Sequence, residues 1–238
     1  MPKSQPKGKS KAAVKAPATL PAPLPRTIVY IDSFNLYYGC LKHTPYRWLN
    51  IQHMCALLLP DHQILAIKYY TARIKPPADD PDKAVRQEVY LRALATLPLV
   101  SMTFGQYLSH VIKRPLANPP AEGPAFVDII NNEEKGSDVN IATHLILDAA
   151  KDAYDLAVLV SNDSDLQEPL RVVRQEFGKP VGILSPLNST RRASRELIQF
   201  ATFTKRIRTG VLRASQFPES LTDSHGIVIH QPPKWTHR

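Results

Sequence analysis

"LAVLVSNDSDLQEPL", residues 156–170, joins two kinds of sequence that rarely meet without a reason. Leu156 to Val160 is an unbroken apolar run, as expected of a strand buried on both faces. It drops directly into Ser161, Asn162, Asp163, Ser164 and Asp165, followed by a helix-forming segment in which Pro169 falls within the first turns. Two carboxylates at the mouth of a buried strand repel each other and lose solvation. Asp163 and Asp165 can be read as caps of the next helix, or as half of a site for a cation. One cap needs only one side chain.

Working outward, the same grammar repeats. "TIVYI" reads as a strand ending at Asp32, "IQHMCALLL" as a helix and "QILAIKYYTARI" as a strand. "DDPDKAVRQEVYLRALATL" has helical spacing, with Ala84, Val89, Leu91, Leu94 and Leu97 on one face and Asp79, Asp80 and Asp82 near its positive end. "LVSMTFGQYL" reads as one strand. Residues 110–131, punctuated by four prolines, read as a loop or hairpin excursion. "SDVNIATHLILDAAKDA" is a helix with Val139, Ala142, Leu145, Ile146 and Ala149 as its apolar face. "PVGIL" is a strand, "TRRASRELIQF" a helix and "FTKRI" a final edge strand. Strands alternating with helices predict an α/β fold with a mostly parallel sheet covered on both faces.

The chain has 238 residues, 43% of them hydrophobic, enough for a substantial core. Of the net charge of +9, six positive charges come from Lys3, Lys7, Lys9, Lys11, Lys15 and Arg26, within a Lys/Pro/Ala-rich stretch that has no acid. Residues 1–26 are expected to be a disordered basic tail, either a solubility aid or an electrostatic tether to nucleic acid. Residues 27–208 are expected to form one domain and 209–238 an extension packing on it. Two cysteines without CxxC spacing indicate neither zinc site nor disulfide framework. No long apolar run marks a membrane span, prolines interrupt the one N-terminal apolar stretch, and a cytoplasmic location is expected.

In an open parallel sheet, ligands gather outside the carboxyl ends of the strands. Asp32, Asp138, Asp163 and Asp165 all fall at strand ends or helix starts. Each has a local alternative: an Asx turn at Asp32, a helix-dipole partner at Asp138, a cap at Asp163 or Asp165. Lys135 and Glu134 can be a solvated charge pair. Taken together, the acids read as an oxygen-only site suited to Mg²⁺ or Mn²⁺. There is no phosphate-binding GxxxxGK[ST] loop, no GxSxG elbow and no HExxH pair. His144 reads as a packed or surface residue. Phe34, Tyr37 and Tyr38 read as core or as a platform for bases.

"TIVYIDSFNLYYG", "EEKGSDVNIATHLILDAA", "LAVLVSNDSDLQEPL" and "GKPVGILSP", in that order, resemble the NYN domain family, its LabA-like branch in particular, within the PIN-like ribonucleases. The resemblance implies a Rossmann-like (PIN-like) three-layer sandwich and metal-dependent cleavage of RNA. It implies Asp32, Asp138 and Asp163 as Mg²⁺ or Mn²⁺ ligands and Asp165 as a further ligand or water-orienting acid. Asn35, Lys135, Ser161 and Asn162 would shape the loops or meet phosphate. Arg191, Arg192 and Arg195 form a basic cluster that can grip a phosphate backbone or stand as a solvated face. RNA is the expected partner; no membrane is involved, and homo-oligomer formation is left open. Two rivals remain: an RNA-binding module that does not cut, and a phosphatase of the haloacid-dehalogenase type, disfavoured because its DxD belongs near the start of the domain.

Overall fold

The computed structural model describes residues 23–77, 79–187 and 193–236; the expected tail at residues 1–22 and the cations Arg191 and Arg192 lie outside them. The order of elements is β1 (Arg26–Asp32), α1 (Ser33–Leu36), α2 (Ile51–Leu58), β2 (Gln63–Thr71), α3 (Lys83–Leu94), β3 (Val100–Phe104), β4 (Gln106–Pro115), β5 (Phe126–Lys135), α4 (Ser137–Ala150), β6 (Leu156–Val160), α5 (Gln167–Gln175), β7 (Val181–Ser185), α6 (Arg195–Ile198), β8 (Phe203–Arg206), α7 (Thr209–Ala214), β9 (Ser220–Thr222) and β10 (Val228–His230).

Six strands form the central sheet in the order β3-β2-β1-β6-β7-β8, and every pairing in it is parallel. The chain winds outward from β1 to β3, crosses over, and winds the other way from β6 to β8. The direction therefore reverses between β1 and β6, which pair from Thr27↔Leu156 to Ile31↔Val160. A doubly wound sheet opens a crevice at that reversal, because the following loops diverge to opposite faces.

Alternation along β1 explains the two cores. Val29 and Ile31 join Ile51, Met54 and Leu94 on one face. Ile28 and Tyr30 join Ile141, Leu145 and Leu170 on the other. The Tyr30 hydroxyl donates to Asp148 Oδ2 at 2.5 Å, and Lys68 Nζ meets the same oxygen at 2.5 Å. A carboxylate half sunk in the core is tolerated because both partners satisfy it. His144 shares a hydrogen bond with the Tyr70 hydroxyl through Nδ1, 2.9 Å, so it is a packed residue.

Several sequence expectations are corrected. The segment 99–108 is not one strand: it breaks at Gly105, and its halves join different sheets. β3 enters the central sheet, while β4 pairs with β5 as an antiparallel hairpin from Gln106↔Lys135 to Pro115↔Phe126. A Cβ at Gly105 would lie 2.5 Å from the Lys135 carbonyl oxygen, so the hairpin base closes only over glycine. On α4, Val139 is 69% exposed and Ile141 is the buried residue; both positions fit a 3.6-residue period, and only packing chooses. Among the described residues, the helix expected over 190–200 is the single turn of α6. No helix among the described residues is long and apolar enough to cross a membrane.

The stretch after β8 is integral to the core. Leu212, Phe217, Ile229 and Trp235 are buried in the same cluster as Trp48, whose indole donates to the Pro218 carbonyl at 2.8 Å. The wall of the crevice depends on another close approach. A Cβ at Gly39 would sit 1.9 Å from the Pro186 carbonyl oxygen, which follows β7. Gly39→Ala should therefore lower stability by about 1–3 kcal/mol, the usual cost of overpacking; urea unfolding measures it, and an unchanged midpoint would refute the contact.

Candidate functional site

Asp32 is the last residue of β1 and is 4% exposed. Its Oδ1 accepts the Asn35 N–H at 2.9 Å, which caps α1, so the local-turn reading of this residue is correct. Its Oδ2 accepts the Ser161 hydroxyl at 3.0 Å across the reversal between β1 and β6. Ser161 Oγ in turn accepts the Asp163 N–H at 3.1 Å. Asn35 Oδ1 accepts the Asn162 N–H at 3.1 Å, and Asn162 Oδ1 accepts the Ser194 N–H at 2.8 Å. Asn35, Ser161 and Asn162 are thus loop-builders here: they lash the ends of β1 and β6 together and tie them to the start of α6. Asp163 Oδ1 accepts the Asp165 N–H at 3.1 Å and caps a short 3₁₀ turn leading into α5.

Capping accounts for Asp32 and Asp163. It does not account for Asp138, the second residue of α4. No hydrogen bond or ion pair reaches the Asp138 carboxylate among the described residues. It is half-buried, and burial pushes its pKa up to about 6, helped by the charges of Asp32, Asp163, Glu134 and Asp165. Burial also raises Asp32; the hydrogen bonds from Asn35 and Ser161 oppose this, and the charge of Asp163 adds to it. The four sequence-predicted acids therefore share one electrostatic field, together with Glu134, a member that sequence reading treated only as a charge partner. Its signal was its place three residues before Ser137: Glu134 Oε1 accepts the Ser137 N–H and hydroxyl at 3.2 and 2.9 Å and so stiffens the start of α4. Lys135 is paired not with Glu134 but with Glu133, at 3.3 Å, and is exposed. In an antiparallel strand, residues two apart share a face and adjacent ones do not. Arg195 is exposed at the start of α6.

The donor set is made of oxygens, as Mg²⁺ and Mn²⁺ prefer. The side chains are nevertheless not drawn together: among the described residues, no group of three His, Cys, Asp or Glu side chains stands where it could hold a metal ion.

Two depressions adjoin these residues and share Phe34 and Tyr38 as a common wall. One is open and bordered by Asn35, Asn162 and Asp163. The other is an aromatic slot on the far side of that wall. α1 continues into a π-helical turn, Tyr37–Leu41, which sets Tyr37 and Tyr38 edge to face at 5.2 Å. Phe34 is no core residue; it stacks against Tyr107 of the hairpin, ring centroids 6.3 Å apart.

The profile of the NYN domain matches residues 26–207. The chain belongs to the NYN domain family. This NYN domain has the PIN-like, nuclease-type architecture that its sheet order displays. It is 32% identical over 236 residues to the 6-hydroxy-3-succinoylpyridine 3-monooxygenase HspA of Pseudomonas putida, a match covering 88% of this chain and 75% of that protein. The fold is shared with a protein of unknown function from Vibrio parahaemolyticus, with a TM-score of 0.50 and 17% identity over 80% of this chain and 98% of the other.

The electrostatics of Asp138 can be tested. Below the ordinary aspartate range it is protonated in folded and unfolded chains alike and costs nothing. As pH rises toward 6 the unfolded chain ionises first, so the folded state loses stability across that window and carries the full penalty above it. Asp138→Asn should therefore raise the melting temperature clearly at pH 8 and little at pH 4. An equal shift at both would show that the Asp138 carboxyl is not raised above the ordinary aspartate range.

Proposed function

We propose that this NYN domain hydrolyses phosphodiester bonds in RNA, with Mg²⁺ or Mn²⁺ held by Asp32, Asp138 and Asp163, and that within the family it stands with the LabA-like branch. The observation carrying the proposal is the half-buried Asp138 carboxylate, met by no donor among the described residues and raised to about 6 within a field of four other acids. Repulsion of that kind is relieved by a cation. When bound, the ion would lower the pKa of a water and neutralise charge on a phosphoryl oxygen.

The protein's own groups have distinct tasks. Ser161 and the Asn35 N–H hold Asp32 rigid and ionisable at the base of the crevice. Asn162 ties the turn carrying Asp163 to α1 and to Ser194, so this acid is fixed relative to Asp32. Asp165, exposed beside it, would orient the attacking water. Arg195, with Lys135 once released from Glu133, would meet the flanking phosphates; contacts of this kind position a strand without reading its sequence.

The test is incubation of labelled single-stranded and structured RNA with the protein in Mn²⁺, Mg²⁺ or EDTA. Cleavage should require the metal and fall by roughly two orders of magnitude or more in Asp163→Asn. Binding of RNA without shortening, even in Mn²⁺, would replace hydrolysis by a non-cutting RNA-binding role; the spacing of the carboxylates favours that outcome to this extent. The likeness to the Pseudomonas putida protein supports a second reading, oxygenation of a pyridine ring. Oxygen uptake with 6-hydroxy-3-succinoylpyridine and a reduced nicotinamide as electron source would establish it, and no uptake would dismiss it.

A further inference from the structure

The aromatic slot has a charge problem that none of the above explains. Its walls include Phe34, Tyr37, Tyr69 and Trp235, and two cations, Arg47 and Lys83, also line it. Both cations are half-buried, and neither forms an ion pair among the described residues. Arg47 donates one hydrogen bond, from Nη2 to the Lys234 carbonyl at 3.0 Å, and its guanidinium lies 5.8 Å from the Trp235 ring centre. Its Nε is buried with no hydrogen-bond partner. Lys83 makes no side-chain hydrogen bond among the described residues. The nearby acid, Asp80, is already engaged by Arg86 and, at 3.2 Å, by Lys234.

Holding two such cations in a partly dry aromatic cleft costs free energy unless an anion joins them. Aromatic walls meanwhile favour a flat ring, by stacking and by burial of its faces. The cavity is small, ≈ 90 Å³, against roughly 300–1,000 Å³ for sites that take drug-sized ligands. We infer that this slot binds a single planar ring carrying a carboxylate or phosphate, with the ring among Tyr37, Tyr69 and Trp235 and the anion on Arg47 and Lys83. The ligand is either a pyrimidine nucleotide of an RNA or a free one-ring aromatic acid; both present the same chemistry. Because Phe34 and Tyr38 are shared with the depression that holds Asp163, the bound ring lies next to the acidic crevice. The inference depends on neither reading of the chemistry performed there.

The experiment is calorimetric titration of the full chain in EDTA, so that neither metal nor turnover enters. Nicotinate and nicotinamide form one pair of probes, UMP and uridine the other; each pair differs chiefly in its negative group. The anionic member of at least one pair should bind about tenfold or more tightly than its neutral partner. Arg47→Gln and Lys83→Gln should each erase most of that difference while neutral binding stays the same. Preference for nicotinate identifies a free aromatic acid, and preference for UMP a nucleotide. If Arg47→Gln fails to fold, having lost its contacts to Trp235 and Lys234, Lys83→Gln decides alone. Equal binding of charged and neutral probes, retained discrimination in a folded variant, or no binding by any probe would overturn the inference.

Discussion

The hydrogen bond from the Ser161 hydroxyl to the buried Asp32 carboxylate, 3.0 Å, is the contact on which the site depends. It spans the only place in the described central sheet where the winding direction reverses, and so it joins the two halves of the fold at their ends. A carboxylate this deep survives only if it is satisfied. Asp32 is satisfied twice, by the first turn of α1 and by the turn after β6. The linkage then continues through Asn35 to Asn162 and through Asn162 to Ser194. Every link uses a short side chain bonded to backbone or to another short side chain, and little rotamer freedom is left to lose. The crevice floor is therefore rigid before any ligand arrives.

Around that floor, two opposing effects act on Asp138. The amino end of α4 favours a negative charge, a benefit of about 0.3–1 kcal/mol at a typical exposed position. Burial and the neighbouring acids disfavour it, and the rise to about 6 shows that they win. Were Asp138 there only to serve the helix, its carboxylate would turn to solvent or accept a backbone N–H. Glu134 already performs that service for Ser137. The acid that costs stability is the one that no donor meets among the described residues.

The strands and helices of the sheet were readable because their patterns are local: continuous apolar runs for β6 and β7, a 3.6-residue period for α3 and α4. That Asp32 and Asp163 follow neighbouring parallel strands was readable too, since carboxyl ends of parallel strands share one edge; Asp138 follows the antiparallel β5 and feels their charges from the start of α4. What escaped depends on contacts between distant segments. Gly105 looks like any glycine within a strand until the Lys135 carbonyl is found against it. Val139 and Ile141 stand on opposite sides of α4, each in step with a row of apolar residues, and only the packing of the helix selects Ile141. The distances between carboxylates hang on rotamers set by neighbours, which spacing along a chain does not encode. The slot was invisible for the same reason: Tyr37, Arg47, Tyr69, Lys83 and Trp235 come from five separate places in the sequence.

That difference in origin divides the molecule. The acidic crevice lies wholly within residues 26–207, the span that matches the NYN domain. The aromatic slot does not: Trp235 forms part of its wall, and the Lys234 carbonyl holds Arg47 in place. Trp235 also packs on Trp48 and Tyr90, at ring separations of 6.4 and 6.0 Å, so the segment that shapes the slot is anchored in the main core. Residues beyond 207 thus shape the slot, and among the described residues they make no contact with Asp32, Asp138 or Asp163. The acidic floor is thus built by the matched span, while the shape of the proposed ring site is set in part by a segment outside it.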